Sequence, residues 1–384
     1  MVDKNIVLKY IEEYESELES LLIEIANIES PSSDLDGCRR VALVLKQYCE
    51  SIGMSARLVE FEGAAPALIA QIGDKTKPGI GFMGHMDTVH PVGSFGSPAV
   101  TCDAEKLYGP GVYDCKGGLV MALLVIQSLL ASGYKERPFK LIFLGDEEIS
   151  HHNAGGACEE LIMNESLGLA AMFNMESGRN GYLTVGRKGG IDFDFIIQGI
   201  AAHAGHCPEK GASAIREAAC KILEIEKNTD LNDLTYNCGL INGGSATNVV
   251  PEECRFSVDA RFRYPESREK AIKLMEQIAA ATYVPGTRTT LINHGGFQAM
   301  PQTQATMKLF DLYNQCASEL GYPAFQPEYS GGNADSAYSV LAGTPTLCSA
   351  GIEGGGVHTL QEYAVRSSLK SRAQILSLCV LSLQ

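Results

Sequence analysis

A chain of 384 residues with 45% hydrophobic content can bury a sizeable core and has room for two domains. Its 31 lysines and arginines face 46 aspartates and glutamates, and no basic cluster relieves the net charge of −15, so a nucleic-acid partner is not expected. Twelve cysteines without a C-x-x-C spacing, and an acidic amphipathic N-terminus in place of a signal peptide, read as free thiols in a reducing, cytoplasmic setting.

Hydrophobic periodicity predicts helices near residues 4–28 and 36–52, then strands around 56–61, 67–72 and 79–83. A long loop runs to about residue 115. The helix expected over 117–132 is the most apolar segment, but Gln127 and Ser128 interrupt it and it is too short to span a membrane. The strand "FKLIFLG", a helix near 156–165 and the strand "GLAAMFNME" follow. Helices alternating with short apolar strands imply an α/β sheet covered on both faces. The middle differs: "IDFDFIIQG" alternates with period two, and the order to "RTTLINH" is β-α-β-β-α-β, the ferredoxin-like arrangement. This places an inserted domain at 188–297 within an α/β domain made of 1–187 and 298–384. The last part returns to the first style, with a helix over 304–320, a short helix after "SGGNADSAY", the strand "TPTLCSA" and a C-terminal helix.

In open α/β sheets ligands gather beyond the carboxyl ends of the strands. There stand His85 and Asp87 after "GIGFMG", Asp146, Glu147 and Glu148 after "FKLIFLG", and Glu176 after "AAMFN"; Asp114 and His358 lie in loops. Imidazoles and carboxylates together suit zinc, cobalt or manganese. Two histidines and three carboxylates exceed the needs of one tetrahedral ion, whereas two ions sharing Asp114 would use them all. Asp87, two residues from His85, is placed to accept its second N–H. In Glu147–Glu148 one carboxylate can bind metal and the other take a proton from water. Plainer readings stand beside these. Glu pairs also occur at 12–13, 159–160 and 252–253, strand-end histidines are commonly hydrogen-bonded core residues, and "GGNAD" has the composition of a turn.

The motifs "GHMDTV", "YGPGVYDCKGG", "GDEE", "NMESG", "AHAGHCPEKGASAI", "NVVPEECRFSVDAR" and "GGVHTLQEY" occur in this order. Together they resemble metallopeptidase family 20, which includes glutamate carboxypeptidase, aminoacylase, acetylornithine deacetylase and succinyl-diaminopimelate desuccinylase. The resemblance covers nearly the whole chain. It implies a zinc-peptidase-like catalytic domain with a central mixed sheet, plus an inserted ferredoxin-like α+β lid through which a homodimer forms. It implies two Zn²⁺ per chain, although the ligand set also permits Co²⁺ or Mn²⁺. His85 and Glu176 would hold one ion, Glu148 and His358 the other, and Asp114 would bridge them. Glu147 would be the general base, with Asp87 behind His85. His203 would reach the partner's site and polarise the scissile carbonyl, and Asn248 and Arg261 would bind a substrate carboxylate. Asp114, Glu147, Glu148 and Glu176 would balance the four metal charges, leaving Arg261 for that carboxylate.

Departures from the family pattern are Ala202 where serine is usual, Cys115 after the bridging aspartate, and His151 and His152 where small residues are common. Glutamate at 176 and "YGPG" lean toward carboxypeptidases and deacylases. The expected substrate is therefore a small N-acyl amino acid or a short peptide with a free α-carboxylate. The alternatives are a di- or tripeptide aminopeptidase and a non-catalytic ligand-binding member of the fold.

Overall fold

The apolar run "FKLIFL" forms the strand Phe139–Leu144, buried along almost its whole length near the middle of a six-stranded mixed sheet. In the computed structural model, which describes residues 2–383, the chain divides into two compact units. Unit 1 runs to Gly186 and resumes at Gln302–Ser330 and from Ala334 on; unit 2 is Arg187–Pro301 with Gly331–Asn333.

The sheet of unit 1 takes the strands Ser55–Val59, Ala67–Ile72, Phe139–Leu144, Ile80–His85, Ala171–Asn174 and Thr346–Leu347 in that spatial order. Phe139–Leu144, Ile80–His85 and Ala171–Asn174 are neighbours running parallel, so their carboxyl ends share one edge. The helices in chain order are α1 (Lys4–Asn27), α2 (Leu35–Ser51), α3 (Lys116–Ala131), α4 (Gly156–Ser166), α5 (Ala214–Glu226), α6 (Pro265–Ala280), α7 (Gln304–Glu319), α8 (Ser336–Leu341) and α9 (Arg366–Ser382). Helix α3 packs against α1, α9 and the strand Ile80–His85, which accounts for its apolar composition on nearly every side. Its one buried cation, Lys116, donates from Nζ to the carbonyls of Ile25 and Ile28 at 3.0 Å each, closing the C-terminal end of α1. Gly118 allows the close approach of α3 to the Met175–Glu176 segment that follows the strand Ala171–Asn174: a Cβ there would lie 1.9 Å from the Met175 carbonyl oxygen.

Some strands expected from sequence are shorter in the fold. "TPTLCSA" contributes Thr346–Leu347, and "GLAAMFNME" contributes Ala171–Asn174. The loop before residue 115 holds two short strands, Thr101–Cys102 and Lys106–Tyr108, in a four-stranded sheet with Gly354–Gly355 and Tyr363–Val365. Strands of two or three residues carry too few positions to register a period.

Unit 2 is an antiparallel sheet in the order Thr235–Gly243, Glu253–Phe262, Gly189–Gln198, Arg288–Asn293, with α5 and α6 contributing to its core. This is the ferredoxin-like order. The core is its own, and Phe195 stacks on Phe256 at 4.6 Å between ring centroids. All twelve cysteines are free thiols. Among the described residues no helix is long and apolar enough to cross a membrane.

Candidate metal centre

Three neighbouring parallel strands deliver side chains to one edge. His85 ends Ile80–His85, Glu147 and Glu148 follow Phe139–Leu144, and Glu176 follows Ala171–Asn174. Asp114 enters from the turn before α3, and His358 from the turn between Gly354–Gly355 and Tyr363–Val365. His358 sits at φ 59°, a left-handed conformation uncommon outside glycine.

These groups meet. His85 Nε2 lies 3.5 Å from Asp114 Oδ1 and 3.6 Å from Glu176 Oε1. His358 Nε2 lies 3.6 Å from Asp114 Oδ2 and 3.2 Å from Glu148 Oε2. Asp114 thus turns one oxygen toward each of two donor sets. Ligands 2.0–2.1 Å from a tetrahedral ion are separated by about 3.3 Å. The observed spacings match that edge length, so these residues have the spacing of ligands to a divalent ion. His85 and Asp114 are almost fully buried, whereas the His358 side chain is half exposed.

Burial pushes Glu147 well above the usual carboxylate range, with Glu176, Asp335 and Glu148 adding to it and His85 opposing. Burial raises Glu148 as well, against its hydrogen bond to His358. Burial acts on Asp114 in the same direction, but the two histidines outweigh it and hold that carboxyl below its ordinary value. Hydrogen bonds to Asp114 and Glu148 lift His358 to about 10. Cations among these carboxylates would draw the raised values back down.

Asp87 approaches His85 Nδ1 with both its backbone and its side-chain oxygens. The nearest acceptor to His85 Nδ1 is the Asp87 backbone carbonyl at 3.0 Å, with the carboxylate at 3.5 Å. That carboxylate accepts the amides of Glu147 at 3.2 Å and Glu148 at 3.0 Å, and the Ser32 hydroxyl at 2.7 Å. Asp87 therefore fixes the glutamate turn as much as the histidine. Cys115 lies beneath His85, its Sγ accepting the His85 amide at 3.1 Å. His152 is exposed, whereas His151 is buried in an ion pair.

Glu362 lies inside the "GGVHTLQEY" motif, but as one acid in a loop it suggested no role of its own. Buried to 2% exposure, it accepts the amides of Gly111 at 3.2 Å and of Tyr113 and Asp114 at 3.0 Å each. It thereby holds the turn that presents Asp114. Asp335, within the segment read as a turn, pairs with His151.

The remaining candidates belong to unit 2. His203 and Asn248 are brought together by a two-residue ladder, Ala202–His203 against Val249–Val250, with Ala204 N–H bonded to Asn248 O at 2.9 Å. His203 Nδ1 accepts the amides of Gly205 and His206 at 3.1 and 3.2 Å, so a neutral ring carries its proton on Nε2. Arg261 pairs through Nε with Asp259 at 2.7 Å, two residues back on the same strand face, and through Nη1 with Asn333 Oδ1 at 3.0 Å.

A family model described as peptidase family M20/M25/M40 matches residues 81–382. The chain belongs to this family. Carboxypeptidase G2 of Pseudomonas sp. (strain RS-16) is 26% identical over 369 residues, covering 94% of this chain and 88% of the relative. Among solved structures, the aminopeptidase PepT of Bacillus cereus aligns with TM-score 0.77 at 20% identity, covering 96% of this chain and 98% of that one. A tripeptidase of Staphylococcus aureus aligns with TM-score 0.76 at 22% identity, covering 96% and 98%. These structures share the fold. Membership of the M20 family carries metal-dependent hydrolysis of peptide or acyl-amino-acid amides, and with it a divalent metal.

Proposed function

We propose that this M20 chain is a dinuclear metallohydrolase that cleaves the amide of a small N-acyl amino acid, or of a short peptide with a free α-carboxylate. One observation carries the reading: the two oxygens of Asp114 face separate donor sets, His85 with Glu176 and His358 with Glu148, at spacings suited to two ions. Zinc suits this set best, and cobalt or manganese would also be accepted.

When bound, the ions supply Lewis acidity that makes water acidic near neutral pH and polarises the scissile carbonyl. Glu147, buried beside both donor sets, takes the proton of the attacking water and passes it to the leaving nitrogen. Asp87 holds Glu147 in place through its amide. Exposed His203, with its proton on Nε2, is suited to donate to the developing oxyanion in a partner subunit's site. Arg261 and Asn248 serve the substrate carboxylate, with Arg261 oriented by Asp259 and Asn333. The relative at 94% coverage, a carboxypeptidase, supports the carboxylate-bearing substrate. Unit 2 would act as the lid and dimerisation domain of a cytoplasmic homodimer.

The test is metal stoichiometry on protein purified without chelator, followed by an assay panel of N-acyl amino acids and dipeptides. About two ions per chain and turnover of carboxylate-bearing substrates are expected. Cleavage restricted to peptides with a free N-terminus would favour the aminopeptidase reading. No metal, even after adding zinc, would leave a ligand-binding protein. Glu147→Ala should lower kcat by at least about 10²-fold with both metals retained; full activity would remove Glu147 from the base role. Sedimentation tests the dimer, and a fully active monomer would rule out His203 acting in trans.

A further inference from the structure

The turn that presents Glu147 and Glu148 holds a second buried ion pair, outside the donor sets. It is a series of tight turns, closed by Ser150 N–H to Glu147 O at 2.8 Å, His151 N–H to Asp146 O at 2.9 Å and His152 N–H to Ile149 O at 3.1 Å. Ser150 and His151 both have positive φ, 57° and 56°, where glycine would sit more easily. His151 is nonetheless buried to 1% exposure, with Nε2 2.6 Å from Asp335 Oδ1, and Asp335 is buried to the same degree.

Asp335 stands at the start of α8, and the ring of Tyr338 on that helix lies 6.3 Å from the His151 ring. The pair therefore ties the glutamate turn to α8. Burial alone would lower the imidazole pKa, but Asp335 and Cys158 more than reverse this and hold it well above the ordinary value. Buried ion pairs rarely increase stability over apolar packing, so stability alone gives little reason to place a histidine here. The surroundings give a better one. Asp335 acts electrostatically on Glu147, in a region already crowded by Glu148 and Glu176. Without the His151 donor beside it, Asp335 would be a buried carboxylate with a lost hydrogen bond, and the glutamate turn would lose its tie to α8.

We propose that the His151–Asp335 pair is a positioning device that holds Glu147 and Glu148 in register with the metal centre. It rests on the catalytic reading above. Neither residue belongs to the two donor sets. The pair acts by fixing the turn.

The test compares wild type with His151→Ala, His151→Gln and Asp335→Asn. The readouts are zinc affinity of the apoprotein by chelator competition, kcat and KM, and thermal unfolding. In His151→Ala, zinc affinity and kcat should each fall about 10- to 100-fold, as when the supporting partners of ligands are removed, with KM within about twofold. His151→Gln, whose amide can donate from near the Nε2 position, should recover most of both. The near-isosteric Asp335→Asn provides a second test if the alanine variant does not fold. Variants that melt earlier but keep wild-type zinc affinity and kcat would overturn the proposal, since the pair would then serve only the fold. A raised KM with unchanged kcat would overturn it in favour of a substrate contact. Failure of the catalytic reading is distinguishable because it shows in wild type, as absent metal and turnover, and it would overturn this proposal too.

Discussion

Glu362 illustrates how much of this centre depends on residues outside the two proposed donor sets. One of its oxygens accepts two amides and the other a third, and the turn they belong to aims Asp114 at both donor sets. Replacing an oxygen with NH₂ sets donor against donor. Glu362→Gln should therefore cost about 1–3 kcal/mol of stability and lower zinc affinity about 10- to 100-fold. Calorimetric melting and chelator competition check the two effects, and an unchanged zinc affinity would mean the turn holds its shape unaided. The proposed ligands were legible in the sequence because each follows an apolar strand or sits in a glycine-rich turn. Glu362, Asp335 and Asn333 were not, since a single polar residue in a loop carries no period and shows its role only through a distant partner. Asp87 was legible as a participant, but not which of its oxygens would meet His85.

At the scale of elements, close approach and pairing dominate. Glycine in an exposed helix is about 1 kcal/mol worse than alanine. At Gly118 the sign reverses, because the new Cβ would overlap the Met175 carbonyl. Gly118→Ala should destabilise by about 1–3 kcal/mol and displace Glu176, lowering metal affinity; a variant as stable as wild type would show that α3 can shift freely. In unit 2, Asp194 accepts from Arg255, Ser257 and His294. These bonds outweigh burial and hold its carboxyl down to about 2. A folded value below the unfolded one of about 3.9 stabilises fully above that pH, and the contribution is lost as pH falls toward 2. Discounting for the exposed Arg255, the loss should be about 1–2 kcal/mol. Hydrogen exchange of Gly189–Gln198 between pH 4 and 2, compared with Asp194→Asn, checks it, the variant showing the flatter dependence. Equal slopes would exclude Asp194 as the source.

On the scale of the whole molecule, two separate hydrophobic cores make two units whose responses should separate. All five proposed ligands lie in unit 1. A ligand at 100 times its Kd adds about 2.7 kcal/mol to the state that binds it. Chelation should therefore lower the melting temperature and raise hydrogen exchange in segments 86–90, 112–118, 145–155 and 174–178, leaving the strands of unit 2 unchanged. Restored zinc should reverse both changes. Equal loosening of the two units would show that the metals stabilise the molecule globally.

The α/β alternation, the period-two strands of the inserted unit and the acidic and imidazole groups at strand ends are all local. They follow from which residues can be buried and which cannot, so they were readable in chain order. The facing of Asp114 toward two donor sets, the return of Glu362 to the 111–114 turn and the junction of His151 with Asp335 required the folded chain. The last pair joins residues 184 positions apart. Such contacts arise from how strands and helices pack and leave no periodic trace. Chemical identity is a property of each residue, whereas the partner of a buried charge is settled only when desolvation forces it to find one.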